Sequence, residues 1–143
     1  WLGKRAAEML LRLDDKRAAE LGRALGSLPP TPDRLLAAAD EALALDPKSP
    51  VRQTLMQCAA EYLGRATIEG KPVDPVARFH LGNGARVERL NWAGDPSPKG
   101  VKQSYGLMVN YLYDLRRLDK HRALLAQGKV AVSGEVDGLF LKG

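Results

Sequence analysis

The sequence of 143 residues has one cysteine, two histidines and few aromatic side chains, 6% in all. Each shortage excludes something. Cys58, being alone, forms no internal disulfide, so the chain suits a reducing compartment. His80 and His121, with that single thiol, do not supply the ligand set of a zinc site, and no metal is expected. No apolar run approaches the length that spans a bilayer, and no secretory core segment is present. The reading is a soluble, cytoplasmic protein with no membrane partner. Internal repeats and low-complexity stretches are also missing. So is an initiating methionine: Trp1-Leu2-Gly3-Lys4-Arg5 reads as the inside of a helix already under way, as expected of a fragment.

What is present is a modest excess of cations, 22 Lys and Arg against 17 Asp and Glu, for a formal charge of +5. A basic balance favours polyanionic partners. Here the cations are mixed with acids, Lys4, Arg5 and Arg12 lying near Glu8, Asp14 and Asp15, which is the pattern of a solvated helix face. No nucleic-acid motif accompanies them, so no nucleic-acid partner is assigned. Hydrophobic residues make up 45% of the chain, enough for the core of one domain or a piece of one.

The first half reads as successive helices. Leu2, Ala6, Met9, Leu10 and Leu13 recur at intervals of three and four residues, and so do Ala18, Leu21 and Leu25 after a capping Asp14. Gly26 and Pro29-Pro30 end that second stretch. Thr31-Pro32 and Ser49-Pro50 are start signals, each a hydroxyl that can cap free amides followed by a proline that needs no donor at the first helical position. The helix after Thr31 is expected to run through Leu35, Leu36, Ala39 and Leu43 to Asp46-Pro47. The one after Ser49 buries Val51, Leu55, Cys58, Ala59, Tyr62 and Leu63, which makes Cys58 a small core residue rather than a nucleophile.

From about Gly70 glycine and proline punctuate shorter segments. Asn83-Gly84 is a hairpin-turn dipeptide, Ala85 to Trp92 alternates as a strand, and Phe79 to Leu81 is its expected partner. Ser97-Pro98 caps a short helical turn. Ser104 to about Leu118 reads as a helix through Met108, Leu112 and Leu115, or else Leu107 to Tyr113 is a buried strand. Val130 to Leu141 is expected to dock as a short helix.

This second half carries Pro75-Val76-Ala77-Arg78-Phe79-His80-Leu81-Gly82-Asn83-Gly84-Ala85, then Leu90-Asn91-Trp92, then Gly106-Leu107-Met108-Val109-Asn110-Tyr111-Leu112-Tyr113. Together these resemble the malonyl-CoA decarboxylase family, closely over Pro75 to Leu115 and more loosely over most of the remainder. The resemblance implies an α+β fold, a helix-rich first half followed by short strands and helices. That would be the later part of a catalytic domain similar to the N-acetyltransferase fold. Residues 1–143 are then part of one catalytic domain, with 1–69 a helical segment and 70–143 the active-site segment. It implies conversion of malonyl-CoA to acetyl-CoA and carbon dioxide with no cofactor, the coenzyme A thioester being the substrate. It also implies homo-oligomers and a catalytic serine upstream of this chain, where no serine precedes Ser27.

The chemistry explains the residue types. Loss of carbon dioxide from a malonyl thioester leaves an enolate that must be stabilised by a preorganised donor and protonated at carbon by a positioned acid. An imidazole, with an unperturbed pKa of about 6.5, suits the second task. His80 is the candidate, its bland reading being a turn histidine satisfied by backbone. Tyr111 matches the family's active-site tyrosine and either holds a thioester or carboxylate oxygen or is a half-buried aromatic. Asn83 and Asn110 orient substrate or close turns. Lys99 and Lys102 meet coenzyme A phosphates or remain solvated.

Overall fold

The computed structural model describes residues 1–141, which form helices α1 (Leu2–Arg12), α2 (Asp15–Leu25), α3 (Pro32–Ala39) and α4 (Pro50–Gly64), with a 3-10 turn at Ala42–Ala44. Strands β1 (Thr67–Ile68) and β2 (Lys71–Pro72) follow, then α5 (Pro75–Gly82), β3 (Arg86–Asn91), α6 (Pro98–Ser104), β4 (Met108–Leu112), α7 (Leu118–Ala126) and α8 (Gly134–Asp137). These residues divide into two compact units that alternate along the chain. Trp1–Cys58, Trp92–Met108 and Leu141 form the first, and Ala59–Asn91 and Val109–Phe140 form the second. Among the described residues no helix is long and apolar enough to cross a membrane.

The first unit is helical, and its starts obey the local chemistry. The side chains of Asp14, Thr31 and Ser97 accept from the backbone N–H of Arg17, Arg34 and Gly100, so each helix gains an acceptor for a donor its first turn leaves unpaired. Gly26, at φ 72°, closes α2 in the left-handed conformation, which glycine adopts without a Cβ penalty. The stripes meet in one core of Leu2, Ala6, Met9, Leu21, Leu35, Ala39, Val51, Leu55 and Cys58. Burying a side chain of leucine size contributes about 2 kcal/mol. Cys58, 0% exposed, is a core residue as its position in the stripe requires. Trp92 packs against this core from the side and carries the Arg52 guanidinium 4.7 Å from its ring centre. The helix expected to run from Thr31 to Asp46 instead stops at Ala39, and the chain continues through the 3-10 turn.

The second unit is mixed. β1 and β2 form a tight antiparallel hairpin, Thr67 opposite Pro72 and Ile68 opposite Lys71, through a two-residue turn with Glu69 at φ 54° and Gly70 at φ 76°. β3 pairs with β4, and Val87 forms a parallel bridge with Val132, its N–H reaching the Ala131 carbonyl at 2.9 Å. Gly64 lies under Phe140, where a Cβ would stand 2.5 Å from the ring, and Arg65 covers the same ring at 4.1 Å.

Two expectations for this half are corrected. Phe79 to Leu81 is not a strand partner of β3, and Asn83-Gly84 is not a hairpin turn. Both belong to α5 and its C-terminus, where Asn83 Nδ2 donates to the Phe79 carbonyl at 2.8 Å. Gly84 is required for a different reason: its φ is 92°, and a Cβ there would meet the Leu118 carbonyl at 2.9 Å. Of the two readings of residues 104–118, the strand is correct for Met108–Leu112, but its side chains alternate between half-buried and exposed rather than being buried throughout. The tail forms a helix only at Gly134–Asp137, capped by Ser133.

Candidate functional site

The second unit sets His80 on the last turn of α5. That helix is fixed at its start by Asp74, whose two carboxylate oxygens serve different ends: Oδ2 accepts from the Ala77 N–H at 3.0 Å, and Oδ1 accepts from the Tyr62 hydroxyl on α4 at 2.9 Å. Pro75 occupies the first helical position, where its missing donor is no loss. One carboxylate thereby caps the helix that bears the histidine and ties it to α4.

Opposite α5, Tyr111 on β4 and Tyr113 just past its end lie two residues apart and so face the same way. The His80 and Tyr111 rings are stacked, with centroids 4.4 Å apart and planes 21° from parallel. The Tyr113 hydroxyl lies 2.6 Å from His80 Nδ1, and Phe79 meets the imidazole edge-on at 5.2 Å. The Tyr111 hydroxyl is buried and has no hydrogen-bond partner among the described residues. Leaving a buried hydroxyl unpaired costs about 1–3 kcal/mol, so this group holds a donor and acceptor capacity that the described residues leave unused. Burial pushes this phenol well above its ordinary pKa, and the negative charge of Asp74 and the phenols of Tyr62 and Tyr113 push the same way. It therefore stays protonated, as a donor, across the range in which enzymes work.

The other residues picked from the sequence fall elsewhere. Asn110 lies on the opposite face of β4 from Tyr111 and accepts from Asn91 Nδ2 at 2.5 Å, a bond between paired strands. Asn83 closes α5. Lys99 and Lys102 are exposed on α6 in the first unit. His121 is buried, and its Nδ1 meets the Gly84 carbonyl at 2.9 Å, so it braces the turn after α5. Among the described residues no group of three or more His, Cys, Asp or Glu is placed to hold a metal ion.

Two features were not picked out from the sequence. Tyr113 was read only as part of a motif; its spacing from Tyr111 would have marked it once residues 107–113 were taken as a strand. A cavity of about 380 Å³ lies among Lys71, Pro72, Arg78, Gly82, Arg122, Leu125 and Ala126. Arg78 and Gly82 are four residues apart on α5, on the side turned away from His80. Nothing short of folding brings Lys71, Arg78 and Arg122 around one hollow.

Comparison with known proteins gives a consistent result. Residues 6–143 match the family described as malonyl-CoA decarboxylase C-terminal domain. The mitochondrial malonyl-CoA decarboxylases of Anser anser anser and Rattus norvegicus are each 51% identical over 61 residues, 43% of this chain and 12% of theirs. Among solved structures, the malonyl-CoA decarboxylase of Cupriavidus metallidurans is 43% identical with a TM-score of 0.83, over 97% of this chain and 35% of that one. That of Agrobacterium vitis is 45% identical with a TM-score of 0.65, over 78% of this chain and 29% of its own.

Proposed function

Since this chain belongs to the malonyl-CoA decarboxylase family, we propose that it supplies the proton-donating part of an enzyme that converts malonyl-CoA to acetyl-CoA and carbon dioxide. The chain spans 35% of the Cupriavidus relative and 12% of the curated animal ones, so turnover on this reading needs the rest of the protein, including a serine upstream. The observation that carries the proposal is His80 stacked on Tyr111, whose buried hydroxyl has no hydrogen-bond partner among the described residues.

In the proposed reaction the bond between the carboxylate and the methylene carbon breaks, its electron pair moves toward the thioester oxygen, and carbon dioxide leaves. Tyr111, held protonated, donates a hydrogen bond to the oxygen that gains charge. His80, as imidazolium, gives its Nε2 proton to the methylene carbon and recovers one from water afterwards. Lys99 and Lys102 remain proposed contacts for coenzyme A phosphates, and Asn83 and Asn110 proposed contacts for the rest of the substrate. The same reading takes the chain as the later part of an N-acetyltransferase-like catalytic domain, residues 70–143 providing the active-site segment. It places the enzyme in the cytoplasm, in fatty acid metabolism, as a homo-oligomer.

The test is release of carbon dioxide from carboxyl-labelled malonyl-CoA by the complete enzyme and its His80→Gln variant. A positioned general acid contributes about 10²–10⁴-fold, so kcat should fall by about that factor while circular dichroism stays unchanged. A folded variant with undiminished kcat removes His80 from the role.

A further inference from the structure

An imidazole works as a proton donor through one nitrogen only if the other keeps its own proton, and its ring must present the right edge. Stacking on Tyr111 fixes the plane of the His80 ring but does not choose between its two flips, because a half-turn about the bond to the ring leaves the stacked faces equally covered. The flip decides whether Nδ1 or a carbon stands on a given side. Among the described residues, the contact with Tyr113, 2.6 Å from its hydroxyl to Nδ1, is what tells the two apart.

We infer that Tyr113 is a positioning residue for His80: its hydroxyl oxygen accepts from Nδ1–H, and so selects both the flip and the tautomer that leave Nε2 as the nitrogen that exchanges protons. Tyr113 is 40% exposed, so its own hydroxyl proton can turn to water while its lone pairs face the ring. With Nδ1–H held this way the bond survives the whole cycle. The imidazolium carries protons on both nitrogens; after Nε2 gives its proton to carbon, the neutral ring is already the Nδ1–H tautomer and nothing has to turn over. Were the phenol instead the donor, the neutral ring would hold its proton on Nε2 and lose the bond on becoming the acid. Tyr111 on β4 and Tyr113 just past its end thus divide the work: Tyr111 sets the plane and faces the substrate, and Tyr113 sets which nitrogen acts.

This inference rests on His80 being the proton donor, and the experiment separates the two. In the complete enzyme, Tyr113→Phe keeps the ring and removes the oxygen at an exposed position, so the fold should persist and its melting curve checks that. The expected kcat for malonyl-CoA falls by about tenfold or more, with KM changed less than about twofold. Nitrogen NMR of histidine-labelled enzyme, with His80 assigned from the His80→Gln spectrum, should show the neutral His80 ring protonated at Nδ1 in the parent and shifted toward Nε2 in Tyr113→Phe. An unchanged tautomer overturns the inference, whatever happens to the rate. So does a loss that appears in KM rather than kcat, which would make Tyr113 a substrate contact. Undiminished turnover in His80→Gln instead defeats the proposed function, and the tautomer is then judged from the spectra alone.

Discussion

A buried hydroxyl with no partner among the described residues is an odd thing for a stable protein to keep, and half-buried Tyr111 carries one. Replacing it with phenylalanine should raise stability by about 1 kcal/mol in chemical denaturation near neutral pH, because the unpaired group is removed and the ring retained. The same change should lower kcat if that hydroxyl meets the substrate, so stability and turnover move in opposite directions. The alkaline limb gives a second signature. Because the folded-state pKa is raised, the native protein holds this proton where the unfolded chain has lost it. The contribution is complete below the ordinary phenol value of 10.0 and is lost as pH rises toward the folded value. Stability should therefore fall above about pH 10, and Tyr111→Phe should fall less steeply. At this scale chemistry and motif coincide at His80 and Tyr111, the two residues the sequence singles out, and the structure stacks their rings. Tyr113 does not stand out in it, because its hydroxyl meets Nδ1 of a residue 33 positions away.

At the scale of elements, Asp74 joins two tasks that are local in origin and long-range in effect. It caps α5 by the ordinary rule for a residue before a helix-starting proline, yet its second oxygen reaches Tyr62 on the preceding helix. Asp74→Ala removes a cap and a side-chain hydrogen bond together and should cost about 2 kcal/mol in denaturant unfolding. Asp74→Asn, which keeps one good acceptor, should cost about half as much. Equal losses for the two variants would mean that only one of the bonds matters. Such caps explain why the helix starts at Asp14, Thr31, Ser49 and Ser97 were legible: the signal and the structure lie within three residues of each other. The stretch around Asn83-Gly84 misled for an equally physical reason. That dipeptide satisfies a hairpin and a helix end alike, since both need a glycine at positive φ, and only the close approach of Leu118 to Gly84 distinguishes them. β4 was ambiguous because Leu107 to Tyr113 is apolar enough to satisfy either periodicity.

For the molecule as a whole, the sequence was a good guide to composition of structure and a poor one to its division. Helices in the first half and mixed elements in the second follow from local patterning. The return of Trp92–Met108 and Leu141 to the unit begun at Trp1 depends on contacts between residues far apart in the chain, which no local period encodes. That unit closes over Cys58, the one thiol in the sequence, with none of its surface left to solvent. A protein arranged so carries its own clock. A thiol reagent added in excess to this 143-residue chain reacts only when the first unit opens far enough to bare Cys58, so the labelling rate measures that opening, with no second cysteine in this sequence to blur it. Labelling should be slow under native conditions and should quicken with denaturant along the unfolding curve. Immediate modification of the native protein would mean that this core opens far more readily than its packing implies.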